Sequence, residues 1–403
     1  MITKRLFRED VYMKEASAII TSVKTEDGRT EIILDQTIFF PEGGGQSCDL
    51  GTLAGHNVTY VYENEDYIFH VVDCPEGSLT EGQEVCLSID WERRFDNMQR
   101  HCGEHILSGM FFREYRGVNR GFHMGEQYMT IDISLEANPQ YDTITWEMAK
   151  HVELCTNEAI WQNQPVITRH FDTKKEAESL PMRKALTLEK DITIVCVGSP
   201  ENPSDCVFCC GTHPSTAGQV GMVKIFKVES NKGMFRIYFE AGRRAFLKYQ
   251  EEMDVLNTLC TSLSAGTDDV LAKYSTQIEK NKEVRTQLYL LKKDVLAKES
   301  ASIIEDYGKG INVHRYSVLP LDDLVSLTRE IGPHAGKIGF LVHEPTFTVL
   351  LVSDGKTDCG KLVKDNVQIY NGKGGGNKTM ARAIFTKMEY VDTFIDLIEK
   401  HLR

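Results

Sequence analysis

From the N-terminus to about residue 90 the chain alternates apolar and polar positions in short runs such as EIILDQTIFF and NVTYVYE, parted by glycine-rich or acidic turns. A period of two marks strands with one buried face, so this stretch predicts a small antiparallel, barrel-like β module. The spacing then changes. Between Trp91 and Tyr115 the residues Phe95, Met98, Ile106, Leu107 and Met110 recur at helical intervals, which predicts a helix carrying His101 and His105. QYMTIDISL reads as a strand, WEMAKHVELCTNEAIWQN as a helix, and DITIVCVG, GMVKIFKVES and FRIYFEAG as three more strands.

After Gly242 a charged helical stretch runs to a break at SAGTDD, where Thr267 is the expected cap of a second helix with Asp268 and Asp269 in its first turn. Leu271, Tyr274, Ile278, Val284, Leu288, Leu291 and Val295 give that helix an apolar stripe, suited equally to packing within the chain and to pairing with a second copy. From about residue 310 strands and helices alternate again: INVHRYSVL, LDDLVSLTREIG, IGFLVHE, FTVLLVS and MEYVDTFIDLIEKHL. The expected fold class is α+β. Its parts are a barrel-like module at 1–90, an α/β core at 91–243, a helical connector at 244–305 and a C-terminal α/β domain at 306–403.

Composition narrows the setting. No stretch is apolar enough to span a bilayer, and the opening MITKRLFREDVYMKEA mixes both charge signs, so membrane insertion and export are not expected and a cytoplasmic location is. The eleven cysteines are dispersed through 403 residues, which favours reduced thiols or metal ligands over a disulfide framework. A net charge of -13 argues against coating nucleic acid by bulk electrostatics. Any such contact must use local patches, the candidates being Arg113, Arg116 and Arg120, and Lys224, Lys227, Lys232, Arg236, Arg243 and Arg244.

The strongest chemical signal is divided between two places. His101 and His105 stand four apart on the predicted helix and project from one face; CCGTH sets a thiolate near His213 in a glycine-containing turn. Thiolate with imidazole suits Zn²⁺. Cys206, Cys209 and Cys210 lie too close together for spacing to choose the sulfur, and Cys206 with Cys209 also forms a CxxC that admits a redox reading. The same helix spells H-x-x-E-H, as in inverted zinc peptidases with Glu104 as general base. On that reading a Glu104 substitution abolishes a peptidase, whereas an ester hydrolase built on the other residues stays largely active.

Two glycine-rich loops stand out. PEGGGQ places Gly43, Gly44, Gly45 and Gln46 after an apolar strand, where a ligand can approach the main chain closely. Near the C-terminus Asn371, Gly372, Lys373, Gly374, Gly375, Gly376, Asn377 and Lys378 precede TMARAIF. Read as a loop opening a helix, this is an anion site.

Taken in order, FFPEGGGQSCDLGTL, MQRHCGEHIL, CCGTH and GKGGGNKTMARA resemble the editing and C-terminal regions of alanyl-tRNA synthetase. Over nearly its whole length the chain is similar to the long form of the freestanding alanyl-tRNA editing proteins (AlaX type). That resemblance implies one Zn²⁺ per chain held by His101, His105, Cys209 and His213, which selects Cys209 among the thiols. With all four ligands bound the ion's coordination is closed, and it organises the pocket or binds the substrate rather than generating hydroxide; displacement of one ligand would make water activation possible. It further implies an editing core at 91–243 and a DHH-associated domain at 306–403 that engages the body of tRNA(Ala), through Gly372 to Lys378, and forms a homodimer. The implied reaction is ATP-independent hydrolysis of seryl-tRNA and glycyl-tRNA of the alanine acceptor. Gly43, Gly44 and Gly45 would line the pocket, Thr37 would bond a serine hydroxyl, and Gln46 would orient water or the ester. The family usually has glycine at Cys210, threonine at Cys102, and arginine with proline at Asn377 and Lys378. The competing readings are editing of seryl-tRNA of the threonine acceptor, a zinc metallopeptidase, and a non-catalytic tRNA-binding module.

Overall fold

Alternation in the first ninety residues builds the six strands of a barrel in the computed structural model, which describes residues 2–402 except positions 27, 139, 187 and 200. They are β1 (Glu15–Glu26), β2 (Arg29–Leu34), β3 (Gly51–Leu53), β4 (His56–Asn64), β5 (Tyr67–Asp73) and β6 (Glu84–Ile89). The order is β1-β2-β5-β4-β3-β6, and β1 pairs with both β2 and β6, so the sheet closes on itself. Closure removes the exposed edges. Inward-facing Ile20, Leu34, Leu53, Val58, Ile68 and Leu87 fill the interior.

Asp90 accepts a bond from the Arg93 amide and so caps α1 (Trp91–Tyr115). This helix is buried along most of its length against a four-stranded antiparallel sheet. The strands are β7 (Val118–Met124), β8 (Met129–Ser134), β12 (Val223–Asn231) and β13 (Met234–Ala241), in the order β12-β13-β8-β7. Helix α2 (Trp146–Trp161) packs beside α1, and a second antiparallel sheet is formed by β9 (Val166–Thr173), β10 (Lys190–Ser199) and β11 (Asn202–Phe208). Cys196 on β10 and Cys206 on β11 are register partners joined by a disulfide. That departs from the expectation of reduced thiols and takes Cys206 out of contention as a ligand or as a redox partner of Cys209.

The barrel and this core are not separate bodies. Arg94 of α1, with no exposure, binds Asp49 of the barrel module through Nε at 3.0 and 2.9 Å and donates to the Ile38 carbonyl at 2.6 Å. Residues Met1–Leu259 form one compact unit and Cys260–Arg403 another.

The division between the units falls within the last turn of helix α3 (Gly242–Leu263), and α4 (Val270–Gly308) belongs to the second. Asp269 rather than Thr267 stands at the N-cap of α4, without a capping side-chain bond. The seven stripe residues expected to pack are all exposed. Beyond them β14 (Val313–Tyr316), α5 (Leu321–Ile331), β15 (Gly339–His343), β16 (Thr348–Val352), α6 (Cys359–Asn366), β17 (Lys373–Gly376), β18 (Met380–Ile384) and α7 (Met388–Leu402) follow. The sheet runs β14-β15-β16-β18-β17. Phe340, Val342, Val349 and Leu351 face α6 and α7, whereas Leu341, Leu350 and Val352 face α5 and Ile303 of α4. Burial on both faces explains why β15 and β16 read as unbroken apolar runs. Among the described residues no helix is long and apolar enough to cross a membrane.

The glycine-rich segment near the C-terminus is a strand, not a loop opening a helix. Lys373–Gly376 forms the exposed edge β17, and TMARAIF supplies β18. A Cβ at Gly374 or Gly376 would collide with the backbone of β18. These glycines therefore permit close strand pairing rather than presenting amides to an anion at a helix end.

Candidate metal centre

Two helical residues and one turn converge. The spacing of His101 and His105 sets both imidazoles on the inner face of α1, and the turn after β11 brings Cys209 and His213 to meet them. The four potential ligand atoms lie within 4.8 Å of one another, and all four residues are buried. Cys209 Sγ is 3.4 Å from His101 Nε2 and 3.3 Å from His213 Nε2. Cys210 is exposed and is not one of the four.

The other ring nitrogens show which atoms are offered. His101 Nδ1 lies 3.0 Å from Gln46 Oε1 and His105 Nδ1 lies 3.0 Å from Asp205 Oδ2. Each acceptor fixes the proton on Nδ1 and leaves Nε2 bare, the arrangement that orients histidines on a metal. Gln46 also accepts from the Thr212 amide at 3.0 Å and donates to the Thr212 hydroxyl at 2.8 Å, so the barrel module holds both halves of the ligand set. Gly211 is needed here, because a Cβ at that position would occupy the space of the His101 ring. Arg183 in turn binds Asp205 at 2.6 Å.

Electrostatics fit a cation. Burial opposes ionisation of Cys209, yet the imidazoles of His101, His105 and His213 hold its thiol well below the usual range. Burial likewise opposes charge on His105, but the Cys209 thiolate and the Asp205 bond push its pKa up to about 10. Burial takes His213 down to about 4. The Cys209 thiolate and the positive charge favoured on His105 thus support one another, a charge pattern that suits a metal ion bound by thiolate and imidazole. Among the described residues His213 Nδ1 is buried without a partner. Donor types, convergence and charge all suit a metal ion with nitrogen and sulfur ligands.

Beside the cluster opens a cavity of about 380 Å³, lined in part by Gly44, Glu104, Asn119, Arg120, Phe122 and Lys184, a size found in small-ligand clefts. Gly44 and Gly45 have φ of +60° and +82°. A Cβ on Gly45 would stand 2.8 Å from the Phe122 ring, which stacks on His101. Gly43 bridges to Gln46, and of the three glycines expected to line the cavity only Gly44 does; Gly43 and Gly45 do not.

Residues 8–93 match the family of tRNA synthetases class II (A), and residues 192–238 match the threonyl and alanyl tRNA synthetase second additional domain. The second match takes in β10, β11, the Cys209–His213 turn and β12. Over 428 residues, all of both chains, the sequence is 29% identical to the alanyl-tRNA editing protein AlaX-L of Pyrococcus horikoshii. Similarity to an alanyl-tRNA editing protein thus runs the full length of the chain. Alanine–tRNA ligases of Pyrobaculum aerophilum and Pyrococcus abyssi are each 28% identical over 99% of this chain, which spans 44% of either ligase.

Not every expected residue reaches the cavity. Thr37 is fully buried; its hydroxyl lies 2.8 Å from His70 Nε2, accepts from the Phe39 amide, and does not line the cavity wall. His70 Nδ1 faces the Ile32 carbonyl, so the Thr37 proton goes to Nε2 and the hydroxyl has no donor left for a substrate. Gln46 spends both acceptor positions of Oε1 on His101 and the Thr212 amide and one Nε2 hydrogen on the Thr212 hydroxyl, which makes it a positioning residue for the ligand set. The third and fourth potential ligands are Cys209 and His213 rather than the carboxylate a peptidase would add. Of the basic candidates, Lys224, Lys227, Arg236, Arg243 and Arg244 are held by Glu153, Glu229, Asp132, Glu92 and Asp96. The pattern gave no sign of Phe122, Asn119, Arg183 or Lys184, and the only hint of Asp205 was a lone aspartate four residues before Cys209.

Proposed function

We propose that this chain hydrolyses the aminoacyl ester of mischarged alanine tRNA in trans, with seryl-tRNA(Ala) and glycyl-tRNA(Ala) as substrates. The observation that carries the reading is the opening of one cavity onto both the His101/His105/Cys209/His213 cluster and the PEGGGQ loop, in a chain similar end to end to an editing protein. Water adds to the ester carbonyl, the bond to the ribose oxygen breaks, and the amino acid leaves a free 3′ end.

The ion is Zn²⁺, one per chain, held by the four cluster residues; when bound it supplies Lewis-acid charge beside the carbonyl. Gln46 and Asp205 position the His101 and His105 rings. Gly44 lets the 3′ end approach the main chain, and Phe122 excludes water from one side. In the C-terminal domain the exposed edge β17, between Lys373 and Lys378, contacts the tRNA body, and the α4 stripe joins two copies.

The test is deacylation of seryl-, glycyl- and alanyl-tRNA(Ala), with seryl-tRNA of the threonine acceptor alongside, by the wild type and by His101→Ala. Loss of the serine and glycine esters, with alanine spared and His101→Ala inert, is expected. Faster loss from the threonine acceptor would move the assignment to that tRNA, and intact ester throughout would end the editing reading.

A further inference from the structure

We propose that Glu104 seats the α-ammonium group of the esterified amino acid, so that the cavity accepts only aminoacyl-tRNA with a free amino group. This deepens the editing reading and rests on it. Glu104 lies on α1 between His101 and His105, is 5% exposed, and lines the cavity without belonging to the ligand cluster. Ser108 Oγ and Asn119 Nδ2 donate to its Oε1 at 2.6 and 2.7 Å, and Asn119 also donates to Ser108 at 2.9 Å. The carboxylate is therefore fixed in orientation before any ligand arrives.

What it lacks is an ion pair of its own: His105, Arg183 and Lys184 act on it through space, but among the described residues none of them bonds to it. Arg183, which lines the same cavity, pairs with Asp205, and among the described residues no ion pair reaches Glu104. A buried carboxylate that is hydrogen-bonded on one oxygen and unpaired is costly unless a positive group meets it. The substrate carries such a group in the required place. Its ammonium nitrogen is tied through one carbon to the ester carbonyl, about 2.5 Å away by covalent geometry. An ester carbonyl set against the cluster thus brings the ammonium within reach of a residue one helical turn from His101 on the same face. Lys184 and Arg120, on the cavity lining, bear the opposite sign and suit the phosphates of the tRNA 3′ end.

The consequence is discrimination by charge at the α-nitrogen. Peptidyl-tRNA and other N-acylated species present an uncharged amide there and would leave Glu104 buried and unpaired, so they are turned away. Serine, glycine and alanine esters all satisfy it equally, which leaves side-chain selection to other walls of the cavity.

The probe is the stable amide analogue 3′-(L-seryl)amino-3′-deoxyadenosine and its N-acetyl derivative. Binding of each to zinc-loaded wild type and Glu104→Gln is measured by calorimetry, with metal content assayed in both. Glutamine keeps the acceptor for Ser108 and Asn119. The wild type should prefer the free amine roughly 10- to 100-fold, as for a hydrogen-bonded charge pair. Glu104→Gln should lose that preference with its metal intact, and should raise KM far more than it lowers kcat on seryl-tRNA. Equal binding of both analogues by the wild type, or a preference that survives in Glu104→Gln, overturns the proposal. So does an equal kcat loss on seryl- and N-acetylseryl-tRNA, which would assign Glu104 to proton transfer. If neither analogue binds the wild type at all, it is the editing reading that fails.

Discussion

Gly211 is the residue on which the metal centre is most exposed to a small change. One methyl group there would fall on the His101 ring, and neither the ring, held by Gln46, nor the turn, held through Thr212, can yield freely. Gly211→Ala is expected to fold but to lose at least tenfold in zinc affinity, the loss typical when an orienting contact fails; competition against a chromogenic chelator measures it. Thr37 belongs to the barrel rather than to the pocket. Thr37→Val should leave serine–alanine discrimination intact while costing about 1–3 kcal/mol in urea denaturation, since His70 and the Phe39 amide lose their partner. His70 itself gives the first unit an acid limit. Burial lowers its pKa to about 4, below the roughly 6.5 of an unfolded chain. Its contribution is therefore complete above pH 6.5 and lost as pH falls towards 4, amounting to about 3 kcal/mol. A urea midpoint flat across that window would refute the assignment.

At the scale of elements, the strands with one buried face and the helix at Trp91–Tyr115 were legible because their periods are unmixed. Where the reading failed, tertiary context had overridden local text. TMARAIF has helix-forming residues, yet β16 and β17 flank it and claim it as a strand. Thr267 is a good cap by type, but the helix begins three residues later. The two-plus-two ligand pattern was visible as spacing, whereas Asp205 and Phe122 take their meaning only from the β11 and β7 positions that bring them to His105 and His101. The β10–β11 pairing also decides among the cysteines. Cys206→Ser should keep the full metal content, because Cys209 and not Cys206 stands in the cluster with His101, His105 and His213. Its stability should fall by about 2–3 kcal/mol under oxidising conditions, with no difference from wild type once reductant is present. Loss of metal in this variant would reinstate Cys206 as a ligand.

For the whole molecule the barrel module expected at 1–90 and the core expected at 91–243 lie within one compact unit, Met1–Leu259. The exposed stripe on α4 is the largest unspent apolar feature of the second unit, and the proposed pairing through it has a direct consequence. The full chain should sediment as a dimer, Leu288→Glu with Leu291→Glu as a monomer, and the segment 1–259 as a monomer; a monomeric full chain at micromolar concentration rules the pairing out. Charged replacements on an exposed face should not disturb folding.

Gln46 and Arg94 reach across the old boundary in opposite directions, one from the barrel to a metal ligand, the other from the ligand-bearing helix to Asp49. The barrel is therefore no detachable accessory. A chimera that borrowed it from a relative would have to inherit Asp49 with Arg94, and the PEGGGQ loop with the CCGTH turn, as single parcels. Swapped alone, either half would arrive with a buried charge or a ligand missing its counterpart.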